Sequence, residues 1–235
     1  MGRRAEGADA VGTVIGDLLP LALGVAISPV PVIAVILMLL APRAGAASAA
    51  FGLGWVLGII VVTVVTLLVA GGADVGGTSG APSTAASWIK LALGVLLLLV
   101  GVRQWRGRPR GDEPAPLPTW MAAIDEVTPA KGLGLGVLLS AVNPKNLLMC
   151  IAAGVTIAGG ELGSADEVVA VAVFTVIAAS TVLVPVVGYA LARDRMRHPL
   201  DELKVWLQQN NVTVMAVLIL VIGVALTGRG LGGLI

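Results

Sequence analysis

The sequence predicts an all-α, polytopic membrane protein with six transmembrane helices in two inverted three-helix repeats, the first and fourth helices broken. Three observations carry this. Hydrophobic residues make up 57% of the chain and charged residues 12%, against about 45–50% and 25% in soluble domains. Apolar stretches close to the roughly 20 residues that cross a bilayer recur along the chain, without the short alternating segments of a β-barrel. A polar break, Asn143-Pro144-Lys145-Asn146, interrupts the apolar stretch from Gly132 to Ala158. A lysine at the bilayer midplane costs roughly 2.5–3.5 kcal/mol on insertion scales, and Pro144 removes a backbone donor and crowds the preceding turn. Open backbone at that depth is tolerated only against protein or a wet cavity, so the break marks a transport or binding site.

In chain order, the first span is expected over Leu18–Leu40 and the second over Ala49–Ala70. The third, Ser87–Val102, is short, with Lys90 able to snorkel at its end. The broken stretch is the fourth. The fifth, Val168–Leu191, carries Pro185, where a kink is expected. The sixth runs from Val212 to Thr227. Met1 to Asp17 lacks the short core and small-residue site of a cleaved signal peptide. Residues 1–235 thus read as one transmembrane domain, with a first repeat over 13–102, a basic, proline-rich cytoplasmic loop over 103–130, and a second repeat over 131–228.

Charge distribution orients these spans. The loops after the first, third and fifth hold Arg43; Arg103, Arg106, Arg108, Arg110 and Lys131; and Arg193, Arg195, Arg197 and Lys204. The other side holds only Arg3, Arg4, Lys90 and Arg229. The positive-inside rule puts the first group in the cytoplasm and both termini outside, in a multi-pass plasma-membrane protein. The Gly71–Thr84 loop and the acidic Glu161, Asp166 and Glu167 then face out.

The repeat rests on Leu23-Gly24-Val25-Ala26-Ile27-Ser28-Pro29-Val30 against Leu135-Gly136-Val137-Leu138-Leu139-Ser140-Ala141-Val142, with five identities in eight. One inserted residue brings Pro31 level with Pro144. Each copy opens a set of three spans, and an odd number per set inverts the second. Paired interrupted helices at corresponding positions point to a transporter's central site. The candidate substrate-binding residues are therefore Ser28, Pro29, Pro31, Ser140, Asn143, Pro144, Lys145 and Asn146. No Asp or Glu lies in the apolar part of any span, and Asp17 is the nearest carboxylate. Lys145 can therefore point at carbonyls freed by Pro31 or Pro144, or at an anionic headgroup. Asn143 and Asn146 suit either exposed backbone or a sugar-like headgroup.

Other chemistries find little support. His198 is the only histidine and Cys150 the only cysteine, so no histidine metal site, triad or internal disulfide is expected, and a thiol-disulfide carrier is rejected. No phosphate-binding Walker loop occurs, and neither catalytic residues nor a cofactor are expected. Nothing points to nucleic acid. Gly54–Gly58 and Gly132–Gly136 place small residues four apart, for close internal packing or a homodimer seam. The Arg103–Arg110 segment with Trp105 suits an anchor on anionic lipid. Trp120–Val127 suits a short interfacial helix, and this loop could dock a partner.

The ordered series Pro118-Thr119-Trp120-Met121-Ala122-Ala123-Ile124-Asp125, Thr128-Pro129 and Asn143-Pro144-Lys145-Asn146-Leu147, with Ser28-Pro29-Val30-Pro31 upstream, resembles the GAP family of actinobacterial membrane proteins. That family includes the sulfolipid-addressing and peptidoglycolipid-addressing proteins and looks like a branch of the lysine-exporter superfamily. The resemblance covers nearly the whole chain and implies help in moving a glycolipid to the cell surface. Three functions stay open: a transporter of such a lipid, an accessory component of a larger lipid exporter, and efflux of a small amino acid or cation. A groove open sideways to membrane lipids favours the first, a collapsed core the second, and a narrow closed site the third.

Overall fold

A computed structural model describes residues 2–41, 44–72, 84–107 and 127–234, and among these the regular secondary structure is entirely helical. Most of the basic, proline-rich loop and of the expected Trp120–Val127 helix lies outside the described residues, as do Arg43, Arg108 and Arg110. Helix α1 spans Gly2–Ala26, α2 Pro29–Leu40, α3 Ala44–Gly72 and α4 Thr84–Arg106. Helix α5, Pro129–Val137, is capped by Thr128, whose hydroxyl accepts from the Lys131 amide, and it runs on into a π turn over Leu138–Val142. Helix α6 covers Pro144–Ala158, α7 Ser164–Arg193 and α8 Arg195–Gly232.

Four helices, α3, α4, α7 and α8, are each long and apolar enough to cross a membrane, and two bent pairs could each supply one more span. The α1–α2 pair bends by 53° and the α5–α6 pair by 66°. Both bends fall where prolines deny the helix its donors: Pro29 and Pro144 each occupy the first position after a break, where a missing N–H does least harm. The helix following the first break therefore starts at Pro29, not at the Pro31 that the sequence comparison sets level with Pro144.

Close glycine contacts fix how the helices run. Gly132, Gly136 and Gly154 of the α5–α6 pair lie against Ala47, Phe51 and the Thr63–Leu67 turn of α3, so the pair runs parallel to α3 over its length. From Ala47 to Leu67 is about 30 Å at 1.5 Å per residue, the thickness of a hydrocarbon core. That length is enough for α5–α6 to count as one broken span. Gly94 and Gly101 of α4 meet Thr227 and Leu220 of α8, and Gly223 and Gly230 of α8 meet Leu98 and Leu91 in return, so α4 and α8 are antiparallel. Gly24 of α1 meets Ile222 of α8 and Met149 of α6, while earlier in α1 Asp17 meets Arg229 and Val14 meets Gly160 just beyond α6, so α1 is antiparallel to both. Gly54, Gly58, Gly132 and Gly136 are thus taken up inside the chain, in a seam between α3 and α5 where a Cβ would strike backbone or Ser140.

Two sequence boundaries shift. Helix α7 passes Pro185 with helical torsions, and the chain breaks instead at Ala192 (φ −145°, ψ 54°). Helix α8 begins at Arg195, far ahead of Val212, because Leu200 and Leu207 bury themselves and extend the helix through a polar stretch. The core is filled by Trp55, Phe51, Phe174, Ile33, Ile36 and Met149, with Phe51 and Trp55 stacked at 6.4 Å.

Candidate functional site

The two breaks meet in the core. Chain geometry at the first is dictated by missing donors. Pro29 and Pro31 cannot donate to Val25 and Ile27, and the Ser28 amide turns to the Ala26 carbonyl at 2.8 Å, which leaves Gly24 without its helical partner. Lys145, on the first turn of α6, supplies the missing protons. Its Nζ donates to the Gly24 carbonyl at 2.6 Å, the Ile27 carbonyl at 3.2 Å and Ser28 Oγ at 2.6 Å. An ammonium has three protons, so all are committed. Met215 Sδ lies 3.8 Å away as a fourth neighbour.

Electrostatics favour this reach. A cation in the first turn of α6 opposes that helix's own dipole, but its ammonium sits at the carbonyl end of α1, where a positive charge is stabilised. No carboxylate is needed, and Lys145 is only 2% exposed.

The second break is closed in the same manner. In the π turn, the Leu139 carbonyl would look five residues on for a donor, and that residue is Pro144. Asn146 Nδ2 donates to it instead at 3.1 Å. Asn146 Oδ1 accepts from Ser28 Oγ at 3.1 Å, so one continuous relay runs Lys145–Ser28–Asn146–Leu139. Asn143 caps α6, its Oδ1 accepting from the Lys145 amide at 3.1 Å. Ser140 donates to the Gly136 carbonyl at 2.8 Å within its own helix.

Of the eight candidate residues, Ser28, Pro29, Pro31, Ser140, Lys145 and Asn146 are buried, Asn143 is half-buried and Pro144 is exposed. Ser28, Lys145 and Asn146 converge in one network, whereas Ser140 stands outside it. Lys145 does point at a carbonyl that Pro31 frees, that of Ile27, and also at that of Gly24, left open when the Ser28 amide turns away. Thr181 was missed by the sequence reading: from the middle of α7 its hydroxyl donates to the Ala26 carbonyl at 2.5 Å. Its only signal is a small polar pair, Ser180-Thr181, inside an apolar run. Among the described residues, no cluster of three or more His, Cys, Asp or Glu could hold a metal ion.

Beside the first break lies a groove of about 340 Å³, bounded by Ile27, Ser28 and Pro29 on one side and by Thr181, Val184 and Leu207 of the α7–α8 hairpin on the other. Its lining is almost wholly apolar, and Val184, 64% exposed, stands at its outer lip.

A family model described as Sap, sulfolipid-1-addressing protein, matches residues 18–232. The chain belongs to that family. No curated protein and no solved structure matches the chain. The region shared with the family holds both breaks, the relay and the groove.

Proposed function

We propose that this membrane protein takes part in translocating a cell-envelope glycolipid toward the cell surface, with an acyl chain held in the groove beside the first broken helix. The observation that carries this is the groove itself: apolar, within the ordinary size range of ligand sites, and walled on one side by the opened backbone at Ile27 and Ser28. The printed family name, which speaks of addressing sulfolipid-1, supports a lipid cargo. In this proposal Ser28 and Pro29 face the cargo, while Lys145, Asn143, Asn146 and Ser140 set the geometry of the broken helices around it.

The path lies between two inverted repeats, a first of α1–α4 and a second of α5–α8. The antiparallel α4–α8 and α1–α6 pairs and the meeting of the two breaks support such a two-fold relation. Superposing residues 18–102 on 131–228 tests it, and failure of the helices to overlay would discard it.

The function is tested by Val184→Trp, which fills the groove from an exposed position, so that no buried side chain has to move. Surface glycolipid should fall severalfold at unchanged protein abundance, and Val176→Trp, on an equally exposed part of α7, should leave it unchanged. Normal delivery in a well-expressed Val184→Trp protein would refute the groove as a lipid path. The saturation of Lys145 by protein acceptors favours a second function, an accessory component of a larger lipid exporter. Lipid movement by the purified protein in vesicles separates the two.

A further inference from the structure

We propose that a second cleft, at the end of the bundle opposite the arginine-rich one, binds a small oxyanion on a hydroxyl-bearing headgroup through Lys90 and Arg229. The packing of α1 and α4 against α8 brings Asp17, Lys90 and Arg229 to one end, while Arg103, Arg106, Arg193 and Arg197 gather at the other. The cleft holds about 310 Å³ and is lined by these three charged residues together with Thr13, Ser87 and Thr156.

Its charges do not balance. Arg229 Nη2 lies 2.9 Å from Asp17 Oδ1, and Arg229 Nη1 donates to the Asp17 carbonyl at 2.8 Å. This two-point clamp fixes the guanidinium and engages Asp17, the only carboxylate among the described residues that line the cleft. Lys90, half-buried, has no ion-pair partner among the described residues. Helices α6 and α8 bring their carbonyl ends to the cleft and α4 begins near it, so the helix dipoles subtract about half a charge, less than the ammonium of Lys90 adds. Two side-chain cations against one carboxylate leave a positive excess inside a walled concavity, the condition that draws an anion. A rigid guanidinium beside an ammonium matches an oxyanion's several acceptors, and the Ser87 and Thr156 hydroxyls match sugar hydroxyls. The site is distinct from the groove: the relay and the core lie between them. A lipid headgroup as the source rests on the proposed lipid path; a free anion as the source does not.

The test uses the full chain in phosphatidylcholine nanodiscs, with a fluorescent short-chain galactosyl lipid bearing a sulfate, its unsulfated parent, and inorganic sulfate. The sulfated lipid should bind at least tenfold more tightly than the parent. Lys90→Met should erase that difference at unchanged thermal stability, and Lys90→Arg should keep it. Displacement of the sulfated lipid by inorganic sulfate assigns the site to the headgroup's oxyanion. Lys90-dependent binding of sulfate without displacement assigns it to a free anion. Equal binding of both lipids together with sulfate binding indifferent to Lys90→Met would overturn the site. Val184→Trp keeps the two proposals apart: if it leaves delivery normal while Lys90→Met still abolishes oxyanion binding, the groove fails and the cleft stands.

Discussion

Ser28 and Asn146, 118 residues apart in sequence, share a buried hydrogen bond of 3.1 Å that joins the two broken helices of the bundle. Ser28 at the same time accepts from Lys145, so a single hydroxyl connects the amide that closes the second break to the ammonium that closes the first. Such a hub predicts energetic coupling. Ser28→Ala and Asn146→Ala should each destabilise the protein, and the double variant should lose less than their sum, with an interaction energy of about 0.5–3 kcal/mol. Thermal unfolding of the four proteins in one detergent measures it; strict additivity would mean that the bond carries nothing.

Lys145→Ala should lower abundance and stability together. It leaves the buried Gly24 carbonyl without a donor, at roughly 1–3 kcal/mol, and the part-buried Ile27 carbonyl with it. Lys145→Arg should be nearly as damaging, because a planar fork cannot direct three protons into a pocket formed for an ammonium. Pulse-chase turnover and melting temperature check both. A stable Lys145→Ala protein that fails only in lipid delivery would instead assign the lysine to the cargo.

The α3–α5 seam predicts a sharp contrast between neighbouring glycines. A Cβ on Gly136 would come within 2.2 Å of the Phe51 carbonyl oxygen, whereas one on Gly134 meets nothing within 4 Å. Gly136→Leu should therefore abolish the folded protein, and Gly134→Leu should be accumulated normally. Quantitative immunoblotting of membranes is sufficient to tell.

Orientation follows from the arginine-rich end. In a Cys150→Ala background, a cysteine at Gly163 should be labelled by an impermeant maleimide on intact cells, and one at Gly107 should not. The reverse pattern would invert the molecule.

Much of the centre was legible in the sequence because proline acts locally: Pro29, Pro31 and Pro144 state which carbonyls lose donors, and one intramembrane lysine is the strongest donor at hand to answer them. Membership of the sulfolipid-1-addressing family was likewise readable from an ordered motif series. What was not legible depends on distant packing. The Asp17–Arg229 clamp joins residues 212 apart in sequence, and nothing local distinguishes it from two surface charges. The start of α8 was hidden because a polar stretch is helical only once Leu200 and Leu207 have a partner surface. At Pro185 the torsions stay helical and the break comes at Ala192, since neighbouring helices can hold a proline-containing helix together.

The division of labour between the two breaks has a consequence for how the protein is made. Gly24 and Ile27 leave the ribosome well over a hundred residues before Lys145, which alone completes their hydrogen bonding. At about 5–20 residues per second, the α1–α2 pair waits on the order of ten seconds for its missing protons. Open backbone is costly in hydrocarbon, so the bend is expected to stay with water or lipid headgroups until Lys145 arrives. The α1–α2 bend is thus completed from α6, and a chain truncated before Lys145 lacks the donor for the Gly24 and Ile27 carbonyls.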